Sequence, residues 1–171
     1  MFNRLERILV ACNRWVLILL LLVMACIVFA NVVLRYPTGD SIVWAEEVAR
    51  HMMIWLTFIG SGMVMRYGGH IAVENLQDAF PRPVGQAIRV LVALLLMAFF
   101  VMMTWIGWQY TQRAMFQMTA ATQIPFGYIY MAIPVGGLLL CIHFLLVLRH
   151  YITDRKFATD AQFDATASAS I

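Results

Sequence analysis

The chain has 171 residues, of which 63% are hydrophobic and 12% are charged, and its formal net charge is +3. Ordinary soluble domains contain about 45–50% apolar and about 25% charged residues, so this composition predicts an integral membrane protein. Nothing in the sequence pairs a basic stripe with aromatic residues, which argues against a nucleic-acid-binding surface. The three cysteines stand in separate apolar segments without a CxxC pair, so they predict neither a disulfide framework nor a metal site.

The N-terminal part combines an amphipathic start with a long apolar run. Residues 2–14 place apolar side chains on one helical face and most charges on the other, which is typical of a helix on a membrane surface. The run that follows is long enough for a first span at about 15–34 and too long for the hydrophobic region of a cleaved signal peptide. We expect Asn31, near its far end, to hydrogen-bond to another helix or to lipid headgroups.

A cluster of charges stands at the head of the second apolar segment. After a turn at 35–40, a helix starts near residue 42, and one arc of it carries Glu46, Glu47, Arg50 and His51. Their spacings of three and four residues predict that these charges partly neutralise one another at the membrane surface. This amphipathic start leads into a second span at about 46–65, in which the Gly60-Ser61-Gly62 sequence allows another helix to approach closely.

The second half of the chain predicts two further spans. Residues 71–80 are amphipathic and predict a short surface helix, which two prolines end. A third span at about 88–110 finishes in aromatic residues typical of a membrane interface. Pro125 stands at the start of a fourth span at about 126–148. Pro134 and the two glycines that follow it predict a kink in that span.

Four spans place both termini on one side of the membrane. Of the 12 basic residues, Arg35, Arg50 and Arg113 lie on the other side and the remaining nine lie with the termini. This bias predicts an N-in, C-in topology. The predicted architecture is therefore all-α, with a single four-helix membrane domain at residues 1–150 and a disordered cytoplasmic tail at 151–171. Amphipathic interfacial helices are expected at the N-terminus, before the second span, and between the second and third spans.

The sequence gives no sign of an enzyme. It has no phosphate loop, paired zinc motif or Ser/His/Asp arrangement, so we predict no catalytic, cofactor or metal residues. A proton-coupled carrier that works alone needs a carboxylate in the membrane core, and the four spans offer none there. A haem-binding anchor subunit of an electron-transfer complex is an alternative, with His51 and His143 as ligands, or His70 with His143 or His150. Its weakness is that His51 and His143 differ by roughly 18 Å in depth, at about 1.5 Å per helical residue.

Five short motifs follow one another in the region 15–148. They are NVVLRY at 31–36, WAEEVAR at 44–50, WLTFIG at 55–60, GHIAV at 69–73 and IPFGY at 124–128. With the motifs in this order, and with this chain length and predicted topology, the chain resembles the small membrane subunit (DctQ type) of tripartite ATP-independent periplasmic (TRAP) transporters.

The resemblance implies a bacterial inner-membrane protein that works with two partners. A large permease subunit would carry the substrate and sodium sites, and a periplasmic binding protein would deliver an organic acid such as a C4-dicarboxylate, a keto acid or a sialic acid. The small subunit would be a non-catalytic scaffold without a cofactor of its own. An assembly adaptor for an unrelated complex is a third possibility.

The resemblance also marks residues for bracing the helices or contacting the partner. These are Arg35, Trp44, Glu46, Glu47, Arg50, Trp55, Gly60, Gly69, His70 and Pro125. Glu47 and Arg50 are expected to brace the start of the second helix or to contact the large subunit, the alternative being pairing within this chain only. Gly69 and His70 are expected to set the turn into the surface helix at 71–80.

Overall fold

The computed structural model describes residues 2–66 and 82–153. Five helices make up most of this part of the chain: α1 (Phe2–Thr38), α2 (Val43–Arg66), α3 (Arg82–Ala114), α4 (Phe126–Tyr130) and α5 (Ala132–Thr153).

Four stretches of the described residues are long and apolar enough to cross a membrane. They are Glu6–Thr38, Val43–Arg66, Pro83–Ala114 and Phe126–Leu148. The prediction of an all-α protein with four transmembrane helices is therefore confirmed. The topology, the surface helices and the domain limits stay predictions. The expected helix at 71–80, the turn at Gly69 and His70, and most of the expected tail lie outside the described residues.

Helix α1 continues unbroken from the amphipathic start into the first span. No glycine or proline occurs between Phe2 and Tyr36, so nothing in that stretch interrupts the helical hydrogen bonds. The helix has 37 residues and is about 55 Å long, which exceeds the hydrocarbon thickness of about 30 Å. It also runs past the predicted limit at residue 34 and ends at Thr38. Gly39 stops it with a φ of 73° and donates its N–H to the Arg35 carbonyl at 3.0 Å.

The helices pack in a row in which chain order is not kept. Helix α1 packs on α2, α2 packs on α5, and α5 packs on α3. The main buried cluster lies between α2, α5 and α3 and consists of Met65, Ala93, Phe100, Leu140 and Phe144. The rings of Phe100 and Phe144 meet edge-on, with their centroids 6.0 Å apart. Within the described residues, α1 adds no side chain to this cluster and forms one edge of the row.

Small residues set the distance between the two middle helices. A Cβ atom at Gly136 of α5 would lie 2.7 Å from the carbonyl oxygen of Phe58 on α2, and one at Gly62 would lie 2.9 Å from the His143 ring. Real Cβ atoms do not approach backbone this closely, so the α2–α5 contact requires glycine at 136. At Gly60, where close approach was expected, a Cβ would lie 3.7 Å from Leu17, an ordinary contact distance.

The fourth span is divided into α4 and α5 at Met131. Pro134 has no N–H to donate to the carbonyl of Tyr130, so the regular hydrogen-bond series is interrupted at that point. The series resumes where Val135 donates its N–H to the Met131 carbonyl at 3.2 Å. The interruption falls within one turn of the proline at which a kink was predicted.

Substituting Gly136→Ala should destabilise the protein by about 1–3 kcal/mol, because the added methyl group must displace the backbone of α2. Gly60→Ala is the matched control. There the methyl group meets only the Leu17 side chain, and alanine favours the helix by up to about 1 kcal/mol. Unfolding in mixed micelles should show a loss for the first variant and none for the second. Equal stability of both variants would contradict this account of the α2–α5 contact.

Candidate functional site

Glu47 lies inside the protein, although it belongs to the charged arc at the start of α2. It is 6% exposed, whereas Glu46 and Arg50 are exposed. Its carboxylate accepts hydrogen bonds from the backbone N–H groups of Ala121 at 2.7 Å and Thr122 at 3.0 Å, and from the Thr122 hydroxyl. The donors to Glu47 therefore come from the loop between α3 and α4. The sequence pattern had suggested charged neighbours on its own helix.

The loop that holds Glu47 is itself folded by hydrogen bonds. The N–H of Thr119 donates to the Ile124 carbonyl at 2.9 Å, and the N–H of Phe126 donates to the Gln117 carbonyl at 2.8 Å. The buried Thr119 hydroxyl accepts the N–H of Ile124 at 3.0 Å and contacts the Thr122 hydroxyl at 2.8 Å. A free loop would have to be ordered before it could bind a carboxylate. This one presents its donors already arranged.

Aromatic contacts reinforce the same end of the row, which we call the Glu47 end. The His51 ring packs edge-on against Phe126 at a centroid distance of 6.4 Å, and Phe126 stacks on Tyr130 at 5.8 Å. Tyr130 in turn contacts Tyr110 of α3 at 4.9 Å. These rings connect α2, α4 and α3 beside the Glu47 hydrogen bonds. His51 is therefore a packing residue at this end.

Asn31 forms the hydrogen bond to another part of the chain that its sequence position led us to expect. Its side-chain oxygen accepts the N–H of Ile42 at 2.7 Å, immediately before α2 begins. An N–H at a helix start has no partner within the helix, so Asn31 satisfies it and fixes the α1–α2 connection.

The remaining marked residues of the Glu47 end differ in exposure. The Arg35, Glu46 and Arg50 side chains are exposed, Trp44 is 47% exposed, and Trp55 is partly buried. Pro125 immediately precedes α4, with its carbonyl accepting the N–H of Tyr128 at 3.1 Å. The structure therefore brings Glu47 and Pro125 into the loop contact and leaves the other charged residues on the surface.

A second polar cluster lies at the opposite end, which we call the Arg66 end. His143 of α5 is fully buried, and its Nε2 atom lies 3.2 Å from Asn13 Nδ2, which also donates to the Ile59 carbonyl at 3.4 Å. Arg66 forms an ion pair with Glu6 of α1. These contacts fasten the first turns of α1 to α2 and α5.

Sequence reasoning missed this cluster because it treated residues 2–14 as a surface helix. Asn13 is 6% exposed, so that helix is packed on the bundle at this point. The sequence did contain one indication of this contact. The polar amide of Asn13 comes directly after Cys12, which shares the apolar helical face of Leu5 and Leu9. The contacts of Thr119 and Thr122 were harder to predict, because the sequence of a polar loop does not show which of its hydroxyl groups turn inward.

The positions of the histidines do not favour the haem alternative. The His143 ring lies against Gly62, which is eleven residues along α2 from His51, so the two rings differ by roughly 16 Å in depth. Two axial ligands of one haem must face a single iron. Over the described ranges, no three His, Cys, Asp or Glu side chains form a group that could hold a metal ion.

Substituting Glu47→Ala should free the loop and lower the free energy of unfolding by about 1–3 kcal/mol, because two backbone N–H groups and a hydroxyl lose their charged acceptor. Hydrogen–deuterium exchange should accelerate at the amides of Ala121 and Thr122. Glu46→Ala, one residue earlier and exposed, should leave both amides protected. If exchange at these amides were the same in the two variants, the Glu47 anchor would be ruled out.

Asn13 and His143 should behave as a coupled pair in a double-mutant cycle. Polar pairs between membrane helices couple by about 0.6 kcal/mol on average and by up to about 1.7 kcal/mol. We expect the double alanine variant to be less destabilised than the sum of Asn13→Ala and His143→Ala, measured by unfolding in mixed micelles. Strict additivity would show that the two side chains do not interact.

Comparison with known proteins identifies the family. The family model described as "Tripartite ATP-independent periplasmic transporters, DctQ component" matches residues 24–153. The ectoine TRAP transporter small permease protein TeaB of Halomonas elongata is 30% identical over 142 residues, which cover 82% of this chain and 74% of that protein.

Two further relatives agree with this assignment. A putative TRAP transporter small permease protein of Haemophilus influenzae is 32% identical over 70% of this chain and 74% of its own length. The C4-dicarboxylate TRAP transporter small permease protein DctQ of Vibrio cholerae is 26% identical over 77% of this chain and 67% of its own length. With its four membrane-spanning helices, this chain belongs to the DctQ family of TRAP transporter small permease subunits.

Proposed function

We propose that this chain is the non-catalytic scaffold of a TRAP-type secondary transporter that imports an organic acid. It would work with a large permease subunit and with a periplasmic binding protein that reaches it through the complex. An ion gradient, with sodium as the expected ion, would drive uptake through sites in the large subunit. The relatives are named for different solutes, ectoine and C4-dicarboxylates, so the substrate class rests on the family resemblance.

The observation that carries the proposal is the exposure of α1. The most hydrophobic part of this span has no residue buried within the described chain. Phe29 is 70% exposed and Trp15 is 58% exposed. Membrane helices associate by close packing, and α1, which packs mainly on α2 within the described residues, leaves most of its surface open to another protein. We infer that α1 is the edge of the row that faces the large subunit.

The internal connections support a role as a fixed support. The Glu47 loop contact and the Asn31 contact hold one end of the row, and the Glu6–Arg66 ion pair holds the other. Gly136 lets the backbones of the two middle helices approach closely between these ends. A scaffold must keep its shape while a partner moves against it, and contacts at both ends of the helices resist shear between them.

The distribution of arginines supports an orientation for this scaffold. The Arg66 end carries Arg4, Arg7, Arg14, Arg66 and Arg89, and the Glu47 end carries Arg35, Arg50 and Arg113. The positive-inside rule then assigns the Arg66 end to the cytoplasm, in the inner membrane of a bacterium. Trp44, Glu46 and Arg50 would meet the partner or the headgroups at the periplasmic surface.

Co-expression with the large permease gene from the same source should yield a complex that purifies on a tag carried by this chain. The membrane subunits are then reconstituted in liposomes, and the matched binding protein is added to the outside solution. Uptake should require both membrane subunits and an inward sodium gradient. The control is the large subunit reconstituted alone at the same density. Uptake that is undiminished without this chain would overturn the scaffold proposal, and a Soret band in the purified chain would revive the haem alternative.

Photocrosslinking should locate the partner on α1. A benzoylphenylalanine at Phe29 should crosslink to the large subunit, because this ring projects from the proposed edge. The matched control is Phe99 of α3, which is 52% exposed at the opposite edge of the row. Crosslinking at position 99 and not at 29 would assign the partner to α3.

A further inference from the structure

An apolar groove runs between α1 and α5 at the Arg66 end. Ile59 of α2 contributes to its lining, and its walls include Ile8, Leu9, Val16, Leu139 and Leu146. The groove has a volume of about 630 Å³, which falls within the range of about 300–1,000 Å³ for ligand pockets. It exists because α1 and α5 both pack on α2 and leave space between themselves.

The length of the groove indicates what kind of molecule fits. Along α1 it extends from Glu6 to Val16, and ten residues at about 1.5 Å each give roughly 15 Å. That is half of a hydrocarbon core of about 30 Å. A partner's transmembrane helix would need a surface along the whole span. A groove that reaches from one membrane surface to the middle matches the length of a single acyl chain in one leaflet.

An arginine lies next to the polar end of the groove, although it is not one of the lining residues. Glu6 lines this end and is paired with Arg66, whose side chain is only 12% exposed. The second terminal nitrogen of Arg66, Nη1, is buried and has no hydrogen-bond partner among the described atoms. Burying a guanidinium N–H without an acceptor is costly, so an acceptor from outside the chain would be stabilising here. A phosphate oxygen is the acceptor that arginine binds with particular geometric fit.

The charge at this end favours an anionic lipid over a zwitterionic one. Arg4 and Arg7 of α1 are exposed at the same end, and Arg66 of α2 is paired there with Glu6. Anionic headgroups are attracted to such basic clusters by about 1 kcal/mol per basic residue near the surface.

We propose that this groove is a binding site for an anionic glycerophospholipid, with one acyl chain between α1 and α5 and its phosphate on Arg66. The lipid would fill the space that the row leaves open and satisfy the buried arginine. The proposal concerns this chain and its membrane, and it does not depend on the substrate or on the identity of the large subunit.

Native mass spectrometry of the full chain tests the site directly. The detergent-purified protein is titrated with palmitoyl-oleoyl phosphatidylglycerol, and separately with the phosphatidylcholine of the same chains. We expect one retained phosphatidylglycerol with an affinity about tenfold above that of phosphatidylcholine. Leu146→Trp, which fills the groove, should remove this preferential binding. Leu145→Trp is the matched control, because Leu145 is 58% exposed and lies outside the groove.

Three additional variants keep the test decisive. Ile8→Trp fills the groove from the α1 side and should reproduce the loss if Leu146→Trp proves difficult to fold. Arg66→Gln should abolish the difference between the two lipids, and Arg66→Lys should restore part of it. Circular dichroism and size-exclusion elution confirm the fold of each variant.

Four results would overturn the proposal. They are equal binding of the two lipids by the wild type, retention of phosphatidylglycerol by both tryptophan variants in the groove, an undiminished preference in Arg66→Gln, and a dimer of the chain that Leu146→Trp dissociates. The last would show that a second copy covers the groove.

Discussion

The carboxylate of Glu47 is the group on which the Glu47 end of the structure depends. An acidic side chain that is 6% exposed on a membrane helix is tolerated only when hydrogen-bond donors surround it. Its donors belong to a loop more than seventy residues later in the chain. The position of α2 and the conformation of that loop therefore depend on each other, because the carboxylate and its donors are hydrogen-bonded only when the two are together. The aromatic contacts around His51 and Phe126 lie at the same end and connect α2 with α4.

The sequence predicts the number and type of the helices because span length and apolar composition are properties of single segments. It is less informative about ends, and α1 extends past the predicted limit at residue 34 because no helix breaker occurs before Pro37. The inward turn of Glu47 could not be predicted. Helical periodicity places Glu46, Glu47 and Arg50 on one arc, and only the distant Ala121–Thr122 backbone distinguishes the buried carboxylate from the exposed one.

For the contacts between helices too, the sequence predicts the kind of packing but not the partners. The glycines at positions 60, 62, 136 and 137 predict close packing of helices. The sequence does not show which helix each of these glycines contacts. The structure assigns tight contacts to Gly62 against His143, to Gly136 against Phe58 and to Gly137 against Thr104, and it leaves Gly60 in ordinary contact with Leu17. Likewise, Asn13 looks like a surface residue until α5 places His143 beside it. Family membership is recoverable from sequence, because the family model and the relatives match the order of residues along the chain and require no knowledge of pairwise contacts.

The order of the row has a consequence for how the protein is made. Helix α5 leaves the ribosome after α1, α2 and α3, yet it supplies the contacts for both α2 and α3. Before it inserts, α1 and α2 can already pair, while α3 has no extensive packing partner among the described helices. The donors for Glu47 also arrive only with the loop that precedes the fourth span. The first three spans are therefore incompletely packed with one another until the fourth span inserts between α2 and α3.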